Sequence, residues 1–198
     1  MGRPRIHDAQ TAEALLDAAE RIAQADGVDA VTVRRVADEV GTTTRAVYSA
    51  FGSKEGLLVE LGRRAFGILL RGLQELPETD DPAADLVEAG VQVFRRFAVD
   101  HPSLYRIGIQ QEIGDPLLAE GYRDAAWIAL EALDAKVARL AAAGQLTAIA
   151  PRDARRAFHA MCEGFAAMEL RGFMPPGEQE LVWREGLSAV VRGFAGAR

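Results

Sequence analysis

Apolar residues recur along this chain at the spacing of one face of an α-helix. The first series, at positions i, i+3, i+4 and i+7, is Leu15, Ala18, Ala19 and Ile22. The second series, with the same spacing, is Val33, Val36, Ala37 and Val40. Alternating runs of β-branched residues do not occur, and the chain has no asparagine, so Asn-Gly hairpin signals are absent. The pattern therefore predicts an all-α fold.

Glycine, proline and capping residues divide the chain into about nine predicted helices. We expect Asp8 to cap the first helix and Gly27 to end it. The clearest break is the segment 77–82, because its two prolines and three acids cannot comfortably continue a helix. The other predicted helices cover residues 33–40, 44–51, 54–76, 83–100, 102–112, 116–143, 153–172 and 177–195.

Composition narrows the class of protein. The chain has 198 residues, 49% of them hydrophobic, which fits one domain or two small ones that share a core. The longest unbroken apolar run has six residues, at 125–130, whereas a membrane-spanning helix needs ~20. The N-terminus lacks the apolar region of a secretory signal, and Cys162 is the only cysteine. We therefore expect a cytoplasmic protein without a disulfide and without a membrane partner.

The second and third predicted helices, with a tight turn between them, have the length pattern of a helix-turn-helix. On the third helix we expect an inward set: Ala46, Val47, Ala50 and Phe51. The outward set is small, polar and rich in hydrogen-bonding groups: Thr44, Arg45, Tyr48 and Ser49. A helix that enters the major groove of DNA needs such a face, because phosphates repel acids and long apolar side chains read no base edge.

Charge placement supports this interpretation where net charge does not. The formal net charge of −6, taken alone, argues against a nucleic-acid partner. Residues 1–54 carry seven basic groups and eight acids, so even this segment has a net charge of −1. No acid lies between Glu39 and Glu55, however, and that window holds Arg45 and Lys54.

Groups suited to phosphate surround the third helix. Thr32 and Thr43 are expected to cap the second and third helices, and Lys54 follows the cap of the fourth helix. Helix N-termini carry about half a positive charge and bind anions. Arg3 and Arg5 form a short basic arm, which a proline between them keeps extended toward an adjacent minor groove. A helix-turn-helix shape alone is weak support, since many helical bundles contain one.

Residues 31–58, VTVRRVADEVGTTTRAVYSAFGSKEGLL, resemble the DNA-binding segment of the TetR family of transcriptional regulators. The matching positions are Gly41, Val47, Tyr48, Phe51, Lys54, Glu55 and Leu57, with Ala14, Ala18 and Gly27 in the preceding helix. The departures are Thr42, where a hydrophobic residue often follows the glycine, and Ser49 and Ala50, where many members have bulkier residues.

The resemblance implies a homodimer that binds a palindromic DNA operator, together with a small-molecule effector that regulates it. It implies a helix-turn-helix domain over residues 1–52 and a helical ligand-binding and dimerisation domain over 53–198, connected by the helix at 53–76. By analogy Tyr48 and Lys54 contact phosphates, while Thr44 and Arg45 lie near bases. The function so implied is that of a DNA-binding regulator, most often a repressor.

The last two predicted helices, 153–172 and 177–195, are long and apolar, and two from each chain would form a four-helix dimer interface. The alternative is that they pack only within the monomer. The first apolar stripe is Ala154, Ala157, Phe158, Met161, Phe165 and Met168. The second stripe is Leu181, Leu187, Val190, Val191 and Phe194.

The effector is expected in a mostly apolar pocket between helices. The residues proposed to line it are Phe97, Tyr105, Ile109, Trp127, Met161 and Phe165. Candidates for its polar part are Gln110, Gln111, His159 and Glu163. The alternative for any one of them is an ordinary core position.

Two rival functions remain. An enzyme is disfavoured because the sequence has no HExxH, no glycine-rich phosphate loop and no GxSxG, so we expect no catalytic residue, metal or cofactor. A helical interaction module or ligand-binding protein without DNA binding would tolerate acids on the outward face of the third helix, and that face has none.

Overall fold

The computed structural model describes residues 5–110 and 116–196, and the side chains of 9–109 and 120–196 within them. The helices are α1 (Arg5–Asp26), α2 (Val33–Val40), α3 (Thr44–Phe51), α4 (Lys54–Glu75), α5 (Pro82–Glu88), α6 (Arg96–Asp100), α7 (Pro102–Tyr105), α8 (Pro116–Ala142), α9 (Pro151–Leu170) and α10 (Gln179–Phe194). A π-helical segment, Ala89–Arg95, joins α5 to α6, and another, Arg106–Gln110, follows α7. The described residues contain no strand, which confirms the predicted all-α class.

Most predicted boundaries are confirmed to within two residues. The break at 77–82 separates α4 from α5, and Gly27 follows α1 directly, with a φ of 87°. The expected cap at Asp8 is wrong, because α1 begins at Arg5. Residues 5–8 contain neither glycine nor proline, so nothing in them stops the helix short of that point.

The chain folds into two compact units. The first comprises the described residues of Met1–Phe66 and His101–Ala126, and the second comprises Gly67–Asp100 and those of Trp127–Arg198. The predicted boundary between a DNA-binding domain (1–52) and a ligand-binding and dimerisation domain (53–198) stays a prediction. None of the described helices is both long enough and apolar enough to cross a membrane.

The core of the first unit follows the predicted apolar stripe of α1. Leu15, Ala18 and Ala19 are fully buried, and Val36 of α2 and Val47 of α3 are equally inaccessible. The apolar stripes of these helices therefore close a small three-helix core, to which the first half of α4 adds its own buried leucines. This core fixes the orientation of α3.

The core of the second unit is formed by α5, α9, α10 and the π-helical segment between α5 and α6. Trp183, Phe158 and Leu187 are almost completely buried there. The segment passes so close to α10 that a Cβ on Gly90 would lie 2.3 Å from the Cδ1 atom of Leu187. A larger residue at position 90 would require the buried side chain of Leu187 to move.

Candidate nucleic-acid interface

Local capping builds the α2–turn–α3 unit. The Oγ1 atom of Thr32 accepts a hydrogen bond from the amide of Arg35 at 3.2 Å, and that of Thr43 accepts from Ala46 at 3.4 Å. Gly41 ends α2 in the left-handed conformation, with a φ of 70°. Each cap satisfies an amide that the helix itself leaves free, so the predicted boundaries of both helices are confirmed.

The outward face of α3 is exposed as the pattern predicted. Its residues Thr44, Arg45, Tyr48 and Ser49 are all exposed, and 54% of the surface of Tyr48 is accessible. On the inward side Val47 is buried, while Ala46 and Phe51 are half-buried. Ala50 is exposed, so its expected burial is wrong. It lies in the final turn of α3, one turn beyond the half-buried Ala46, and burial declines along this edge of the helix.

Carboxylates neutralise the cations of the neighbouring helices. Arg34 lies 3.8 Å from Asp38, Arg21 lies 3.7 Å from Glu39, and Arg35 forms an ion pair with Asp26. Within the described part of the chain, Arg45 and Lys54 belong to no ion pair. The uncompensated positive charge of this region therefore lies on α3 and at the start of α4.

The N-terminus of α4 joins this face. Ser53 Oγ accepts a hydrogen bond from the amide of Gly56 at 3.0 Å, and the half-buried Lys54 opens the 22-residue helix. A Cβ on Gly56 would lie 2.0 Å from the carbonyl oxygen of Phe51, the last residue of α3. Sequence reasoning missed Gly56, although a glycine inside a helix is itself a signal that another backbone approaches closely.

The structure describes only part of the predicted basic arm. Arg3 lies outside the described residues. Arg5 is the first residue of α1, so the expectation of an extended backbone at this position is wrong. A role of either arginine in DNA binding stays a prediction.

A polar cluster that the sequence analysis missed holds α1 against α4. The guanidinium of Arg64 lies 2.6 Å from Glu13, 2.7 Å from Asp17 and 3.0 Å from Glu20. Desolvation disfavours its charge, but the hydrogen bonds from Arg64 to Asp17 and Glu20 outweigh it and raise the pKa of Arg64. These acids of α1, which help to make the N-terminal segment negative overall, thus share one internal cation.

The residues expected around an effector have differing environments. In the second unit Phe97 is buried, Met161 and Phe165 are half-buried, and Trp127 is 57% exposed. The ring of Phe165 lies 5.4 Å from that of Trp183, between centroids. In the first unit Tyr105 is buried and Ile109 is half-buried.

Two of the four polar candidates for the effector pocket, His159 and Glu163, lie close to each other. His159 Nε2 lies 3.3 Å from Glu163 Oε1. Burial lowers the pKa of His159, although Glu163 opposes this effect. Gln111 and the side chain of Gln110 lie outside the described residues.

Comparison with known proteins identifies the family. A sequence profile described as "Bacterial regulatory proteins, tetR family" matches residues 15–61, and one described as "Tetracyclin repressor-like, C-terminal domain" matches residues 87–190, over half of the chain. The HTH-type transcriptional repressor BdcR of Escherichia coli (strain K12) is 33% identical over 98 residues, 49% of this chain and 48% of BdcR. The chain thus matches about half the length of this curated relative.

Solved structures share the fold. A Rhodococcus sp. RHA1 protein of unknown function superimposes with a TM-score of 0.82 at 22% identity, covering 93% of this chain and 95% of that one. The TetR family regulator PfmR of Thermus thermophilus gives 0.70 at 23% identity, with coverages of 93% and 99%. The fatty acid degradation regulator FadR of Bacillus halodurans gives 0.76 at 16% identity and covers both chains fully. With the two profiles matching the helix-turn-helix and the C-terminal half, the chain belongs to the TetR family and is a DNA-binding transcriptional regulator.

Proposed function

We propose that the protein is a homodimeric repressor, which binds a palindromic operator through α3 and leaves it when a small-molecule effector binds. The observation that carries the proposal is the exposed, acid-free face of α3, whose Arg45 forms no ion pair within the described residues. In this arrangement Arg45 and Thr44 lie near base edges in the major groove. Arginine is well suited to guanine there, because its fork matches two acceptors of that base.

Phosphate contacts come from the residues around α3. Tyr48 and Ser49 supply exposed hydroxyl groups, and Lys54 adds its charge to the positive end of α4. Thr32 and Thr43 accept hydrogen bonds as caps, so each hydroxyl still has a hydrogen to donate to a phosphate. Arg3 and Arg5 complete the proposed set from the N-terminal side.

Dimerisation is proposed through α9 and α10. Part of each predicted stripe is used inside the protomer, where Phe158 and Leu187 are buried. Three members of the stripes stay exposed, Ala157, Met168 and Leu181. Exposed small residues outside the predicted stripes lie beside them: Ala160, Gly164 and Ala189. Those of the six that belong to α9 lie at positions i, i+3, i+7 and i+11 and form one line, along which a second helix approaches closely. Two such helices from each protomer make an isologous four-helix interface.

Effector control requires two states of the dimer. In the DNA-bound state the two α3 helices lie about 34–36 Å apart, one turn of DNA. An effector held in the second unit by Phe97, Trp127, Met161 and Phe165 releases the operator only if it binds the other state more tightly. The helix α4 begins beside α3, so a shift of α4 changes the separation of the two recognition helices.

Selection of bound sequences from random DNA tests the proposal. The purified protein is expected to enrich a palindrome with half-sites one helical turn apart. Arg45→Ala is expected to relax the preference at one or two positions of each half-site, because a lost bidentate contact costs about tenfold in discrimination. Enrichment of no palindrome would contradict the operator, and identical selection by both proteins would contradict base reading by Arg45.

A further inference from the structure

We infer that the second compact unit carries a separate small-molecule site, a cleft that binds an amphipathic monocarboxylate. The cleft lies between the first turns of α5, the turn that follows α8 and the last turns of α10, and its volume is about 470 Å³. Small-molecule sites span about 300–1,000 Å³, so the cleft has the size for a short ligand. It shares no residue with the proposed effector-binding set and goes beyond the proposed function.

The cleft and the contact with α9 lie on different flanks of α10. Arg184, Ser188 and Val191 follow one another at i, i+4 and i+7 and line the cleft. Another flank of α10 packs against α9, where a Cβ on Gly186 would lie 2.3 Å from the ring of Phe165. No residue of α9 lines the cleft. The site therefore lies on a flank of α10 different from the one that packs against α9.

The floor of the cleft is apolar. Val87, Leu140 and Val191 line it from three different elements, and each belongs to the buried core. Alanines border this floor at positions 83, 84 and 195. A hydrocarbon chain that covers such a surface is stabilised, because the free energy falls in proportion to the apolar area removed from water.

Both acids at the cleft are already engaged. Asp81 Oδ1 accepts hydrogen bonds from the amides of Ala83 and Ala84, each at 3.1 Å. Glu88 forms an ion pair with Arg184. Arg184 therefore compensates the charge of Glu88, and neither carboxylate forms an ion pair with Arg192.

Three polar side chains at the cleft are not engaged in the part of the chain that the structure describes: Arg192, Ser188 and Gln145, whose buried Oε1 has no hydrogen-bond partner. Within the described residues, Arg192 forms no ion pair and the hydroxyl of Ser188 forms no hydrogen bond. They lie four residues apart on α10 and hence on the same side of the helix. A free cation and a free hydroxyl above an apolar floor match a carboxylate with a short hydrocarbon tail, because charge-assisted hydrogen bonds form at one end and apolar contacts at the other.

A titration of the full-length, ¹⁵N-labelled protein with hexanoate tests the site, with amide chemical shifts as the readout. Saturable shifts are expected at Val87, Ser188 and Val191, with a dissociation constant on the order of 1 mM for so small a ligand. Arg192→Gln is expected to weaken binding by about fivefold or more. Arg123→Gln, which removes an exposed and unpaired arginine of α8, serves as the matched control and leaves the affinity unchanged.

Two further measurements sharpen the test. Hexanol has the same hydrocarbon chain without the charge. It is expected to bind the wild-type protein about fivefold more weakly than hexanoate does. Its affinity for Arg192→Gln should equal its affinity for the wild-type protein. Ala84→Trp fills the cleft from its exposed rim and is expected to abolish the shifts. The inference is overturned if hexanoate causes no shift at these positions, if Arg192→Gln binds like wild type, or if the shifts centre on Met161 and Phe165 instead.

Discussion

Arg64 of α4 and Glu20 of α1 form an ion pair in the first compact unit, with Nη1 3.0 Å from Oε2. The same carboxylate of Glu20 lies 3.0 Å from Nδ1 of His101, at the start of α7. Arg64 also reaches Glu13 and Asp17, and only 17% of its side chain is exposed. One cation therefore joins α1 to α4, the helix that begins beside α3. The negative charge of α1, whose sign disfavours DNA binding, has a structural role within the protein.

Removal of this cation is expected to destabilise the fold. Arg64→Ala leaves three carboxylates together without their shared partner. Because solvent screens the exposed Glu13 and Asp17, we expect the free energy of unfolding to fall by about 1.5 kcal/mol. Urea denaturation at a fixed protein concentration measures the change. Arg63→Ala is the control, because Arg63 is 51% exposed and pairs only with Glu60 among the described residues, so it should cost less than about 0.5 kcal/mol. Equal losses in both variants would contradict the role of Arg64.

Loss of the positive charge at the start of α4 is expected to weaken DNA binding regardless of sequence. We expect Lys54→Ala to remove one phosphate contact in each half-site. The negative slope of log K against log salt should then become shallower by about 2 for a dimer. Fluorescence anisotropy over a range of KCl concentrations measures this slope. Arg123→Ala, a change of the same charge on α8, should leave it unchanged. A wild-type slope for Lys54→Ala would remove Lys54 from the phosphate contacts.

A bulky charge on the outer line of α9 is expected to dissociate the dimer. Gly164 is exposed, and a Cβ placed there meets no heavy atom within 4 Å, so Gly164→Glu leaves the protomer intact. Two such charges facing each other at an isologous interface repel and lose their solvation. Analytical ultracentrifugation should show a shift from dimer to monomer, with an unchanged helical circular dichroism spectrum. Gly121→Glu, which is equally free of contacts, should remain dimeric.

The ion pair of Asp85 with Arg139 is expected to make stability depend on pH in the acid range. Burial opposes ionisation of Asp85, but hydrogen bonds from Thr79 and Arg139 outweigh it and lower the pKa from 3.8 to about 2. Because the pKa is lower in the folded state, the stabilisation is complete above about pH 4 and is lost as the pH falls toward 2.

Asp85→Asn isolates this contribution. At neutral pH the variant is expected to be less stable than wild type by about 3 kcal/mol, since Arg139 loses its buried partner. The difference should narrow as the pH falls from 4 to 2, as measured by urea denaturation. Asp80→Asn, in the exposed part of the same loop, should show no such narrowing. A gap that stays constant down to pH 2 would contradict the lowered pKa of Asp85.

The sequence by itself determined the elements and the family. Helix periodicity and capping act over three or four residues, so the burial of Leu15 and Ala18 and the caps at Thr32 and Thr43 were predictable. The exposed polar face of α3 follows from the same local geometry, because residues one turn apart share a side of the helix. The residues that resemble the TetR family lie on those elements, and the family assignment is confirmed.

Only the tertiary structure decided which side chains meet across long separations in sequence. Arg64 lies 44 residues from Glu20 and 51 from Glu13, and no local pattern pairs them. The exposure of Ala50 and Trp127 was likewise not predictable, since an apolar residue is buried only where another element covers it. The cleft beside Arg192 requires three elements from distant parts of the chain. Periodicity is a property of one helix, whereas burial and charge pairing are properties of the packing between helices.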